Sequence, residues 1–211
     1  PAGAYWAQAA SVSLLSDVEA REIWAYRVPS VIAATLAVLF VFWGGSALIG
    51  GGPAFAGALL MATALILSSE AHQAKTDAML LAATTLAMAS LARIWTRWQD
   101  SDPSKPWIET VLLWVGIGVG MLIKGPMTPM VVGLTVIALL VTGRDRGWFW
   151  TLRPVIGVAI AGVIFLPWAA AIFIETQGAF FGSAVGDDLL PKLVSGQESH
   201  GAPPSYYSLL V

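Results

Sequence analysis

Apolar runs of membrane-crossing length recur along this chain, separated by short polar breaks. No charged residue occurs between Arg27 and Glu70. That stretch is long enough for two passes, since a helix crosses hydrocarbon with about 20 apolar residues. Gly50-Gly51-Gly52-Pro53 divides it, because Gly and Pro punctuate helices. The pattern predicts helices near 28–49, 53–69, 77–95, 107–123, 127–142 and 154–174. Lipid offers backbone groups no hydrogen-bond partner, so a spanning segment is a helix or part of a closed barrel. The runs lack the apolar/polar alternation of barrel strands. The expected fold is therefore all-α and polytopic, with about six spans.

The same pattern divides the chain into regions. Residues 1–27 read as an interfacial segment, amphipathic up to Arg27, and 28–174 as six transmembrane helices. Residues 175–205 read as a long loop, and 206–211 as the start of another helix. Loop charge suggests an orientation, because short loops rich in Lys and Arg stay cytoplasmic. Arg93, Arg97 and Lys105 flank one loop, and Arg144, Arg146 and Arg153 flank another on the same side. The opposite side, periplasmic in a bacterium, holds 1–27, the turn 70–77, Lys124-Gly125-Pro126 and 175–205. It also carries Arg21, Arg27, Lys75, Lys124 and Lys192, so the bias is moderate.

Composition agrees with the pattern. The chain is 57% hydrophobic and 11% charged, against about 45–50% and 25% in soluble domains. Mean hydropathy is +0.74. Ten Trp suit membrane interfaces. A net charge of -2 gives no basic surface for nucleic acid. The absence of Cys excludes disulfides and thiolate metal sites within these residues.

Candidate chemistry gathers on the non-cytoplasmic side. Glu70, His72, Lys75 and Asp77 place four ionisable groups in one short turn, and charge inside a membrane domain usually faces protein or a water-filled cavity. Lys75 could meet a phosphate, and Asp77 could N-cap the next helix. Lys124 ends a helix before Gly125-Pro126, and Lys is a compact cation suited to phosphate. Each also has a plainer reading as an interfacial charge or a snorkelling Lys. The long loop holds Asp187, Asp188, Lys192, Glu198 and His200, followed by Tyr206 and Tyr207. A lone His is weak evidence for a metal, although His is a frequent ligand. The tyrosines also read simply as interfacial anchors. No nucleotide-binding glycine motif, zinc-protease motif or serine-hydrolase elbow is present.

Six motifs in order give a resemblance. They are Pro1-Ala2-Gly3-Ala4-Tyr5-Trp6, Tyr26-Arg27-Val28-Pro29-Ser30, Ala74-Lys75-Thr76-Asp77, Lys124-Gly125-Pro126, Leu166-Pro167-Trp168 and the run from His200 to Tyr207. Together they resemble family 39 glycosyltransferases, relatives of the protein O-mannosyltransferases and of the aminoarabinose transferase that modifies lipid A. The resemblance implies the glycosyltransferase C-type bundle, with its active site on the non-cytoplasmic side. It also implies a polyprenyl-phosphate sugar donor, a lipid, glycan or protein acceptor, and inversion at the anomeric carbon. The catalytic carboxylate is then expected ahead of Pro1, which would leave this piece inactive by itself. Lys75, Lys124 and Arg27 become donor-phosphate contacts, with Tyr5, Asp77, His200, Tyr206 and Tyr207 on the active face. A divalent metal is a candidate cofactor, with His200 as its ligand here. His72 stands where the family more often has Arg. A transporter or flippase, or a non-catalytic scaffold, remains the alternative on the residues alone.

Overall fold

The computed structural model describes residues 2–17, 19, 22–101, 106–143 and 145–180. Eight α-helices follow one another: α1 Gly3–Leu15, α2 Ile23–Ile49, α3 Gly51–Thr63, α4 Leu65–Ala71, α5 Asp77–Gln99, α6 Trp107–Lys124, α7 Met127–Thr142 and α8 Pro154–Thr176. A 3-10 turn, Gly147–Leu152, precedes α8. No strand occurs among the described residues. Among the described residues four helices are long and apolar enough to cross a membrane, or five if the bent pair α3–α4 counts as one span, and α7 is a shorter apolar helix.

Two passes depart from the expected straight spans. The run expected over 53–69 is instead α3 and α4, bent by 60° around Ala64, whose ψ of 126° is extended. The break diverts the Ala64 amide to the Met61 carbonyl at 3.2 Å. The Leu60 carbonyl loses its helical partner, and the Thr63 hydroxyl is shared between the Leu59 carbonyl at 3.0 Å and the Leu60 carbonyl at 3.2 Å. The bend turns Leu67 and Ala71 into the core. The first long helix starts at Ile23, so Arg27 lies within helix rather than ahead of it. Before it, residues 3–15 form α1, a separate helix packed on α2 and α6.

The chain divides into two compact units, 1–166 and 167–211. In the first, α5 is central and packs on α2 and α6. Its core has two parts of different character. Near the start of α5 it is built mostly of alanines, among them Ala33, Ala37, Ala78, Ala82 and Ala83. Small residues let helices approach where lipid supplies no hydrophobic drive for association. Near the end of α5 it is bulky, with Leu91, Ile94, Leu113 and Trp148. In the second unit the described residues are the last turns of α8 and a short continuation. There Trp168 meets Phe180 edge-on at 5.9 Å.

Candidate functional site

One end of the first unit gathers the starts of α1, α2 and α5, the end of α6 and the 70–77 turn. Pro29 explains part of its construction. Proline has no amide, so inside α2 it leaves the Ala25 carbonyl without its helical donor. Ser11 of α1 fills the gap, its Oγ donating to the Ala25 carbonyl at 2.6 Å. The next residue, Ser30, is fully buried, and its Oγ donates to the Lys75 carbonyl at 3.3 Å. The Pro29-Ser30 pair therefore docks α1 on one side and the 70–77 turn on the other. Arg27 is exposed, one turn before Ser30 on adjoining positions of the helix surface. Among the described residues it has no ion-pair partner.

Two ion pairs lie at this end, Lys124 with Asp77 and Lys75 with Glu70. Lys124 Nζ lies 2.7 Å from Asp77 Oδ1, both side chains being partly exposed. Asp77 does not cap α5. It is the first helical residue, Thr76 holds the cap position without a side-chain bond, and the carboxylate turns to Lys124 instead. Each charge also suits its helix end, an acid at an N-terminus and a base at a C-terminus. Gly125 follows with φ +65°, a left-handed conformation that glycine adopts without a Cβ penalty. Lys75 is more open. Its Nζ is 3.8 Å from Glu70 Oε1, and its side chain is 53% exposed. Glu70 Oε2 is buried with no hydrogen-bond partner. His72 turns back on its own helix, Nδ1 lying 2.7 Å from the Ser68 carbonyl.

Arg27, Lys75 and Lys124 thus bring three cations to one end of the first unit, with Lys124 paired tightly and Lys75 loosely. Tyr5 is 66% exposed on α1. His200, Tyr206, Tyr207 and the expected loop beyond 180 lie outside the described residues, as do Arg21, Lys105 and Arg144. Among the described residues no group of three or more His, Cys, Asp or Glu side chains could hold a metal ion. His200, the ligand that the resemblance implies, lies outside them.

Two features of the first unit escaped the sequence reading. One is an apolar cavity of about 640 Å³ between α1, α2, α5 and α6, lined by residues that include Ala7, Ile32, Leu36, Met79 and Ala83. Met79, Ala82, Ala83 and Leu86 share one face of α5, whereas Asp77 and Thr84 share another, by the i, i+3, i+4, i+7 repeat. The cavity thus lies on a different face of α5 from the Asp77–Lys124 pair. The other is Glu109, 5% exposed at the far end of the same helices. Arg97 Nη2 approaches it at 2.7 Å and Arg93 Nε at 3.8 Å. Arg93 also lies over the Trp43 ring, 4.9 Å from its centroid. An acid in the first turn of an apolar helix, with arginines near the end of the preceding one, was the available signal.

A sequence model described as dolichyl-phosphate-mannose-protein mannosyltransferase matches residues 1–170. Among solved structures, the crystal structure of ArnT from Cupriavidus metallidurans in the apo state is similar, with a TM-score of 0.75 and 21% sequence identity. The match covers 84% of this chain and 32% of that one. The fold is therefore shared, and this chain spans less than half the length of that protein. No curated protein matches this chain.

Proposed function

The chain belongs to the dolichyl-phosphate-mannose-protein mannosyltransferase family, and from that premise we propose that it is part of a membrane glycosyltransferase moving a sugar from a polyprenyl-phosphate donor to an acceptor. The reaction proposed inverts the anomeric carbon. The acceptor hydroxyl attacks that carbon, the bond to the carrier phosphate breaks, and the phosphate leaves with the bonding electrons. Fixed cations that meet the developing charge lower the barrier. Lys75 and Arg27 supply them on this reading, and Lys124 brings a further positive charge to the same end.

A carboxylate is needed to take the hydroxyl proton. On this reading the base is the carboxylate that the resemblance puts ahead of Pro1, while Asp77 pairs with Lys124 and Glu70 lies beside Lys75. Apolar helix surface below the cations receives the prenyl chain. The acceptor is a lipid, glycan or protein hydroxyl, and the active face is periplasmic, in a bacterial inner membrane.

One observation carries the proposal. The Ser30 bond fixes the Lys75 backbone at a membrane boundary, while its ammonium stays half exposed and only loosely paired. The test is transfer of labelled sugar from a polyprenyl-phosphate donor by the full-length protein and its Lys75→Ala variant. The expected loss is about 10²–10³-fold in kcat, the scale of removing one preorganised charge-stabilising donor. Full transfer by Lys75→Ala would remove the phosphate role of Lys75. No transfer by the unsubstituted protein would remove the activity.

A further inference from the structure

Two ion pairs at the candidate site differ in a way that separates their roles. The Asp77–Lys124 contact is 2.7 Å and the Glu70–Lys75 contact is 3.8 Å. A charge-assisted hydrogen bond falls at the first distance and not at the second. The tight pair joins the first residue of α5 to the last residue of α6. At the other end of the same two helices Arg97 meets Glu109, again at 2.7 Å. Between the two ends Gly116 of α6 lets the helices close up, since a Cβ there would come within 2.8 Å of the Ala83 carbonyl oxygen. The antiparallel pair is thus fastened at both ends and in contact between them. Lys75 takes part in no such fastening through its side chain. It sits in the turn, and its ammonium is the more exposed of the two.

We infer that Asp77 and Lys124 work as one unit that fixes the ends of α5 and α6, with both as positioning residues, and that direct contact with the donor phosphate falls to Lys75. This division rests on the reading of the site proposed above. A phosphate reaching Lys124 would have to displace Asp77 or share the cation with it. At Lys75 it need only replace a long contact. The pair acts on the reaction by aiming Lys75 at the charge that develops in the transition state, because Asp77 begins the helix that the Lys75 turn enters.

The test is a double-mutant cycle in the full-length protein with Asp77→Asn, Lys124→Gln and both together, read beside Lys75→Gln. Residues that act as a unit give non-additive losses. The single variants are expected to lower kcat by similar factors, with the double variant no worse than the weaker single. Donor KM should stay within about twofold of the parent in all three, because uniform substrate binding is untouched. Lys75→Gln should instead raise donor KM about tenfold or more. A rise in donor KM for Lys124→Gln matching that of Lys75→Gln, or losses that multiply in the double variant, would overturn the inference. Thermal unfolding of the four purified proteins reads the same pair without turnover. If the unsubstituted protein moves no sugar, the proposed activity fails, and the unfolding cycle alone decides the pair. Coincident shifts in Tm then support the unit and additive shifts overturn it.

Discussion

Ser11 and Pro29 show how a residue that looks like a defect can set a contact. Ala25 is fully buried, so its carbonyl, freed by Pro29, must find a donor within the protein, and Ser11 Oγ is that donor. Losing one partner of a buried hydrogen bond costs about 1–3 kcal/mol. Ser11→Ala is therefore expected to destabilise the protein by about that amount, measured by thermal unfolding in detergent. Pro29→Ala restores an amide for the same carbonyl, so Ser11→Ala should cost less in that background. An equal loss in both backgrounds would disprove the pairing. The sequence showed Pro29 and Ser30 as motif letters but not their partners, which lie 14 residues from Ala25 and 45 from Ser30. Asp77 and Lys124 were both legible as boundary charges on one side. Their mutual contact was not, because pairing across helices depends on crossing geometry that residue types do not encode.

At the scale of elements, helices were readable from hydrophobic run length, and their close contacts were not. Gly120 of α6 is the clearest case. A Cβ there would lie 2.5 Å from Thr128 Cβ, on fully buried Thr128 of α7. Thr128 Oγ1 in turn lies 2.8 Å from Thr84 Oγ1 of α5. Gly120→Ala should force the α6–α7 crossing apart, at the roughly 1–3 kcal/mol typical of overpacking. Gly133→Ala on α7 is the control, since nothing lies within 4 Å of its added Cβ. It should be neutral or slightly stabilising, because Ala is the better helix former. Equal unfolding behaviour of the two variants would show that the α6–α7 crossing has room for the added methyl group. The broken second pass was hidden for a related reason. Residues 61–66 contain neither Gly nor Pro, and the polar group beside the break is a Thr63 hydroxyl shared between the Leu59 and Leu60 carbonyls. Threonine is too common in helices to mark a bend by itself.

At the largest scale, the first unit presents two chemically different ends, and function depends on which end faces which side of the membrane. One end has Arg27, Lys75, Lys124 and the alanine-rich core. The other has Arg93, Arg97 and Arg153 among Trp43, Trp95, Trp107 and Trp148, with Arg153 lying 3.4 Å from the Trp107 ring centroid. Positive charge biases a short loop toward the cytoplasm, and by that rule the arginine–tryptophan end is inside. The difference in Lys and Arg between the ends is small, and Glu109 offsets part of it. These residues contain no Cys, so single cysteines introduced here can report sidedness once any native cysteines elsewhere are replaced. Met127→Cys, beside Lys124, should react with a membrane-impermeant maleimide applied to intact cells. Trp150→Cys, at a position 72% exposed near the other end, should react only after the membrane is opened. The reverse pattern would place Lys75 and Lys124 in the cytoplasm. A polyprenyl-phosphate donor could then meet them only from the inner leaflet, and transfer at the periplasmic face would have to be abandoned.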